Sequence, residues 1–259
     1  DGSQKLVRNN QWCEETLQRE VGTGSTTTLQ HYVYVLEANL AFHNGMTIPL
    51  MSEFLSYADG DVAQAKQDCE QKAFHRLAQR LKREFSHLPI MVLLDGLYPN
   101  GPILARCREM NWDFMIVLQD ASLPSVWREA LGLKQLLPEN EHDRQWHKRK
   151  QHFWWVNDIG YDYADPATQR QKNLKLHAVT CEESWEEIAP GGTAVVQKTS
   201  RHVWISAEPL HKGNVHQRCN LGARHRWGIE AGLLVEKHHG YQYDHCFSYE
   251  WEAMRGYHY

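Results

Sequence analysis

Two short apolar runs constrain this chain more than any other feature. "PIMVLLDG" (89–96) and "DFMIVLQD" (113–120) are continuous apolar stretches of strand length, and "GPILARCREMNW" (101–112) between them spaces its apolar residues as a helix does. A continuous apolar run of this length is the signature of a strand buried on both faces. Strand, helix, strand order in turn implies a parallel pair, so the chain is expected to be α/β. Upstream, "LQHYVYVLEANL" (Leu29 to Leu40) and "GMTIPLMSEFL" (Gly45 to Leu55) flank the turn "FHNG" and predict a hairpin. From Asp61 to His87, Ala63, Ala65, Ala73, Phe74, Leu77, Leu81 and Phe85 recur at helical spacing among charges, which predicts a long amphipathic helix ending before Pro89.

The pattern changes from about Ser122. "LPENEHDRQWHKRKQH" is polar and charged, and "FWWVNDIGYDY", "NLKLHAVT", "GTAVVQKT" and "RHVWISA" are short β-like runs before a last helix opens at Arg224. This predicts three parts: an α/β core over 1–125, a β-rich insertion over 126–220, and a final helical part of the core over 221–259.

Composition removes several classes. With 42% hydrophobic residues in 259, the chain can bury a real core and is not a disordered one. No apolar run reaches membrane-spanning length and no signal peptide is visible, so no membrane partner is expected. Six cysteines without any C-x-x-C pair read as reduced intracellular thiols and a cytoplasmic protein. A net charge of −4 gives no global basic field, so any nucleic-acid contact must rest on local clusters.

One helix arranges its charges in an unusual way. In "RHRWGIEAGLLVEKHHGY" (224–241), Arg226, Glu230 and Lys237 fall within roughly 40° of arc at about 100° per residue, flanked by Ile229 and Leu233 on one side and Trp227 and Leu234 on the other. A solvated face would lie opposite the apolar residues, and unpaired charge is too costly to bury, so this stripe calls for a partner. Asp95 stands at the end of "MVLLD", where open parallel sheets place ligand-binding groups; the same "DGLYPNG" also reads as a turn with Asp capping it. Asp1 with Gly2 repeats the Asp-Gly pairing, and Glu230 supplies an acid on a helix. In a chain with 32 Asp and Glu, spacing alone does not join these three.

In order along the chain, "DGSQKLVRNNQW", the hairpin with "PLMSE", "KQDCEQKAFHRL", "LLDGLYPNGP" and "RHRWGIEAGLLVEKHHGYQYDH" resemble the DDE transposases of bacterial insertion sequences, specifically the subgroup marked by Y-x2-R-x3-E-x6-K. Arg226, Glu230 and Lys237 match R-x3-E-x6-K, while Ala223 occupies the Tyr position. The resemblance implies a ribonuclease H-like core, a mixed sheet flanked by helices and interrupted by a β-rich insertion. It implies Asp1, Asp95 and Glu230 as catalytic acids and ligands of paired Mg²⁺ ions, with Mn²⁺ as an alternative, clamping the attacking and leaving oxygens of a phosphodiester displacement. Arg226 and Lys237 would meet DNA phosphates. Hydrolysis would use water and strand transfer a DNA 3′-hydroxyl, at double-stranded element ends and at target DNA. A homodimer on DNA, in the bacterial cytoplasm and associated with the nucleoid, is implied by the same resemblance. The alternative is a catalytically inactive relic or domesticated DNA-binding domain with the same fold.

Within "RQWHKRKQHFWW" (144–155), Lys148, Arg149 and Lys150 among Trp residues suit phosphate contact with base stacking, and equally a solvated loop beside a strand. The resemblance also implies a base-stacking Trp in the insertion, for which Trp204 in "RHVWIS" is the candidate; as a strand residue it reads as core. His238, His239, His245 and Cys246 match no zinc spacing. Asp68 and Glu70 are expected to cap or pair at the start of the long helix. The resemblance places a DNA-binding region before Asp1, so the chain reads as a catalytic domain without it; Asp1, on a frayed end with no preceding strand, would then leave this fragment poorly active.

Overall fold

The structure, a computed structural model, describes residues 1–24, 27–57, 68–189, 191–192, 195–245 and 247–259. The chain divides into two compact units: Asp1–Leu88 with Trp227–Tyr259, and Pro89–Arg226.

In the first unit, β1 (Gly2–Arg8), β2 (Leu17–Val21) and β4 (Thr47–Phe54) all pair antiparallel with the long β3 (Thr28–Ala41). The β3–β4 hairpin is the one the sequence predicts. Gly45 takes φ 87°, a left-handed conformation that glycine adopts without strain, and the Asn44 carboxamide accepts the Met46 N–H at 3.0 Å. Alternation on β3 sends Val33 and Val35 into a core with Phe54 and Trp251. The helix α1 (Glu70–Glu84) buries Ala73, Phe74, Leu77 and Ala78 on one stripe. The upstream turns predicted from Asp61, with Ala63 and Ala65, lie outside the described residues.

In the second unit, β5 (Met91–Leu94), α2 (Gly101–Glu109) and β6 (Asp113–Val117) form the predicted strand, helix, strand crossover, and β5 and β6 run parallel from Met91↔Asp113 to Leu94↔Ile116. The Asn100 side chain caps α2 by accepting the Ile103 N–H, with Pro102 in the first turn. Gly101 is required here because a Cβ would lie 2.1 Å from the Tyr163 ring. After α3 (Pro124–Leu136) come β7 (Glu141–Trp146), β8 (Arg149–Ala164), β9 (Gln171–Ile188) and β10 (Val195–Ser206), then the short α4 (Val215–Asn220).

These strands make one six-stranded mixed sheet in the order β5-β6-β10-β9-β8-β7. The β-rich stretch therefore continues the sheet that β5 and β6 begin, since β10 pairs antiparallel with β6 from Trp204↔Val117 to Ser206↔Met115. The expectation of burial on both faces holds for β6, where Phe114, Met115 and Ile116 are buried, and is corrected for β5. That strand lies at the sheet edge, so Met91 is exposed and Val92 and Leu93 only half-buried. The core on one face of the sheet gathers Met115, Phe153, Trp155, Val179, Cys181 and Trp204 against Val215 and Cys219. Among the described residues no helix is long and apolar enough to cross a membrane.

Candidate functional site

The three acids sit in three local settings. Asp95 comes directly after β5 at the carboxyl end of the parallel pair, half-buried, and its Oδ1 accepts the Leu97 N–H at 2.8 Å. The turn-capping role is therefore real, and one carboxylate oxygen serves it. Gly96 is packed by the Gln119 side chain, whose atoms lie 2.5 Å from where a Cβ would stand. Gln119 itself lies just past β6 and is exposed, which puts a carboxamide against Gly96, the residue after Asp95, at the sheet's carboxyl edge. Sequence reasoning passed over Gln119, because only the parallel register brings it there.

Asp1 belongs to the first unit with Glu230. It is not frayed: its backbone nitrogen donates to the Glu37 carbonyl at 3.0 Å, the Glu37 N–H donates to the Asp1 carbonyl at 2.8 Å, and its carboxylate accepts the Gly2 N–H at 2.8 Å. The residues 223–239 do not form one regular helix. A 3₁₀ turn (Ala223–Trp227) leads into α5 (Gly228–Leu234), which passes into a wider π turn (Val235–His239). Glu230 is exposed, Arg226 and Lys237 are half-buried, and Trp227 and Leu234 are exposed. Among the described residues, no three His, Cys, Asp or Glu side chains come together in a group that could hold a metal ion.

The charge this helix buries is Glu236, which sequence reasoning missed. Ile229, Leu233 and Glu236 stand at i, i+4 and i+7, the stripe that a helix turns to its core, and all three are buried. Lys5 on β1 meets Glu236 at 2.8 Å and Glu37 on β3 at 3.1 Å, and lies 4.9 Å over the Tyr243 ring. Burial pushes the Glu37 carboxyl up to about 7, with Lys5 pulling it down and Glu236 pushing it up. The helix α6 (Trp251–His258) places His258 against the same cluster, its Nε2 3.0 Å from the Ser52 hydroxyl and 3.6 Å from Glu37. Burial, and then Lys5, push that imidazole down to about 4. Burial and Lys5 likewise lower Lys237, so its ammonium carries its charge less readily than a solvated lysine does.

The basic cluster of the second unit divides in two. Lys148 and Lys150, at the β7–β8 turn, are exposed, as is Arg144. Arg149 is committed elsewhere: it pairs with the fully buried Glu183 at 2.7 Å and stacks on Trp185 at 3.9 Å. Glu183 is a second buried hub, also bound by Arg224, by Gln151 at 2.5 Å and by the Ser200 hydroxyl at 3.1 Å. These donors hold its carboxyl below the ordinary range even though burial opposes them. Arg224 in turn stacks on Trp146 at 4.9 Å and donates to Asn220. Gln151, Glu183 and Ser200 are directly opposite one another on β8, β9 and β10, so register rather than sequence proximity assembles the hub.

The base-stacking expectation for Trp204 is corrected. Only 4% exposed, its ring is part of the sheet core and stacks on His202 at 5.7 Å, leaving no face for a base. On the other side of the same strands a groove of about 890 Å³ opens over β7 to β10, lined by cross-strand polar residues including Asp143, Lys150, His152, Glu182 and Arg201. Its charges are mixed, and His152 and Arg201 are already paired with Asp143 and Asp120.

The remaining candidates resolve simply. Asp68 pairs with Arg76 at 2.6 Å and accepts the Ser56 N–H, and Glu70 accepts from the Tyr34 hydroxyl at 3.1 Å, so both do pair at the start of α1. His238 and His245 approach Asp244 at 3.7 and 3.9 Å, and Cys246 lies outside the described residues. The five described cysteines are free thiols, and burial pushes those of Cys107 and Cys181 up to about 12. Comparison with protein-family models and with curated proteins finds no match.

Proposed function

We propose that this chain is the catalytic domain of a DDE-type DNA transposase with a ribonuclease H-like core, cleaving and joining phosphodiesters at element ends. The observation that carries the reading is Asp95: an acid at the carboxyl end of the first of two parallel strands, in the half-buried position where such sheets present ligand-binding groups. Support comes from the R-x3-E-x6-K spacing of Arg226, Glu230 and Lys237, with Glu230 turned to solvent where DNA can reach it. Asp1 is the remaining acid, held by its main-chain exchange with Glu37. When bound, Mg²⁺ or Mn²⁺ would supply Lewis-acid activation of the phosphodiester and of its attacking oxygen. The described residues gather no three-acid group, so Asp1, Asp95 and Glu230 are assigned as ligands on motif and position.

Phosphate contact in this reading falls to Arg226, Lys237, Lys148 and Lys150. Arg149, paired with Glu183, is left out of that contact. The partners are double-stranded DNA at element ends and at the target, with a homodimer acting on DNA in the bacterial cytoplasm.

A second reading, a catalytically inactive DNA-binding domain, is favoured by two specific features: Ala223 in place of the motif Tyr, and the use of one Asp95 oxygen to cap its own turn. One experiment separates them. Purified chain is incubated with an element-end oligonucleotide and Mg²⁺, alongside Asp95→Asn and Glu230→Gln. The transposase reading expects wild-type nicking that each variant abolishes while DNA binding persists. Binding without nicking, both in this chain and in one extended by its native upstream residues, selects the inactive domain.

A further inference from the structure

Three elements of the first unit converge on one buried ion cluster. Lys5 lies on β1, the strand that Asp1 leads into; Glu37 lies on β3 and exchanges two main-chain hydrogen bonds with Asp1; Glu236 lies two turns beyond Glu230 on the same helical stretch. Lys5 is 6% exposed and bridges both carboxylates, at 3.1 and 2.8 Å. The Tyr243 N–H donates to the Glu236 carbonyl at 2.9 Å, and the Tyr243 ring covers Lys5, so the chain after the helix closes over the cluster.

Apolar packing at α5 is thin. The helix has seven residues and buries Ile229 and Leu233, too short and too sparsely anchored to hold its place by itself. Beyond it the backbone widens into a single π turn, Val235–His239, that buries only Glu236. A buried ion pair is a costly way to gain stability, since well-packed apolar side chains of similar size do as well or better; a directional charged contact adds instead a single allowed alignment. An apolar residue at 236 would tolerate a slide along β1 and β3. Glu236 tolerates one position, the one in which its carboxylate meets Lys5.

We propose that Lys5, Glu37 and Glu236 form a clamp that fixes the register of residues 228–239 against β1 and β3, and that Lys5 and Glu236 are thereby positioning residues for Glu230. The inference rests on the reading of Glu230 as a functional acid, and it adds to that reading a device that sets where the acid stands. None of the three clamp residues is required to touch DNA.

The test uses the full chain with two variants: Lys5→Met, which leaves two carboxylates without their cation, and Lys5→Arg, which keeps the charge. Hydrogen exchange is read residue by residue. Lys5→Met is expected to speed exchange across 228–239 on the order of a hundredfold, the scale of breaking a buried pair, while the β3–β4 hairpin keeps its protection. The Arg variant should recover most of the loss. In the nicking assay Lys5→Met should lower kcat, because the acid no longer stands in place, and should raise KM for the DNA end by less, because Lys237 moves with the segment while Lys148 and Lys150 do not. Unchanged exchange over 228–239, or an equal rise throughout the first unit, overturns the clamp. So does a loosened helix with full kcat. Absence of nicking in both the wild-type chain and its extended form defeats the transposase reading instead, and the exchange comparison still decides the clamp.

Discussion

Glu37 makes the stability of the first unit depend on pH in a way that one substitution isolates. Its carboxyl is buried beside Glu236 and shares Lys5 with it, and its pKa rises from 4.5 to about 7. Between these values the folded chain holds a proton that the unfolded chain has released, so folding loses stability as pH rises through the window and the loss is complete above about 7. At about 1.4 kcal/mol per pH unit, the upper bound is about 3 kcal/mol. His258 acts with the opposite sign: its folded pKa is about 4 against 6.5 unfolded, so the unfolded chain binds the extra proton and stability rises as pH climbs from 4 to 6.5. The two slopes cancel over much of the acid range, and the raw profile hides both. The difference between wild type and Glu37→Gln cancels most of the histidine contribution, because Gln keeps the shape without the titration; what is left of it is the change in His258 on losing a carboxylate 3.6 Å away. Because two compact units need not unfold together, the assay reads hydrogen exchange of β1 and β3 amides, corrected for intrinsic chemistry, from pH 5 to 8. The variant should gain on wild type across that range by up to about 3 kcal/mol. A constant offset measures only the fit of Gln beside Lys5. A difference that stays level with pH refutes the raised carboxyl.

The same geometry sets several further outcomes. Glu230→Gln should abolish Mg²⁺-dependent nicking and leave thermal unfolding within about 0.5 kcal/mol of wild type, as for an exposed surface position; scanning calorimetry with the nicking assay checks both, and undiminished cleavage removes Glu230 from the site. Lys237→Ala should weaken binding to all DNA sequences alike and reduce the salt slope by roughly one, as a phosphate contact does; an unchanged slope in a filter-binding titration assigns the lysine to folding alone. Trp204→Ala should cost about 3 to 5 kcal/mol through a cavity in the sheet core; a urea titration that finds less than about 1 kcal/mol would mean the ring is not packed as described. Glu183→Gln should loosen Arg149 and Arg224 together, seen as joint broadening of their side-chain NMR signals, whereas broadening of only one would break the hub into separate pairs.

Elements whose signal is local are legible in the chain before it folds. Alternation and an Asn-Gly turn specify the β3–β4 hairpin, an i, i+4 apolar stripe specifies α1, and two apolar runs around a capped helix specify the parallel β5–β6 pair. Each is fixed by backbone geometry and by which side of a short segment must leave water. The position of Asp95 was legible for the same reason, since a strand's end needs no distant partner to define it. Groupings that register creates required the folded chain. Whether the β-rich stretch forms its own sheet or extends the first depended on β10 choosing β6 as a neighbour, and an apolar run cannot reveal whether it lies at a sheet's edge or its centre, which is why β5 reads as more buried than it is. Lys5, Glu37 and Glu236 are ordinary surface charges by composition, and so are Arg149 and Glu183. Burying any of them is prohibitive alone and feasible once partners from distant strands are brought within about 3 Å, and that proximity is a property of the folded chain only.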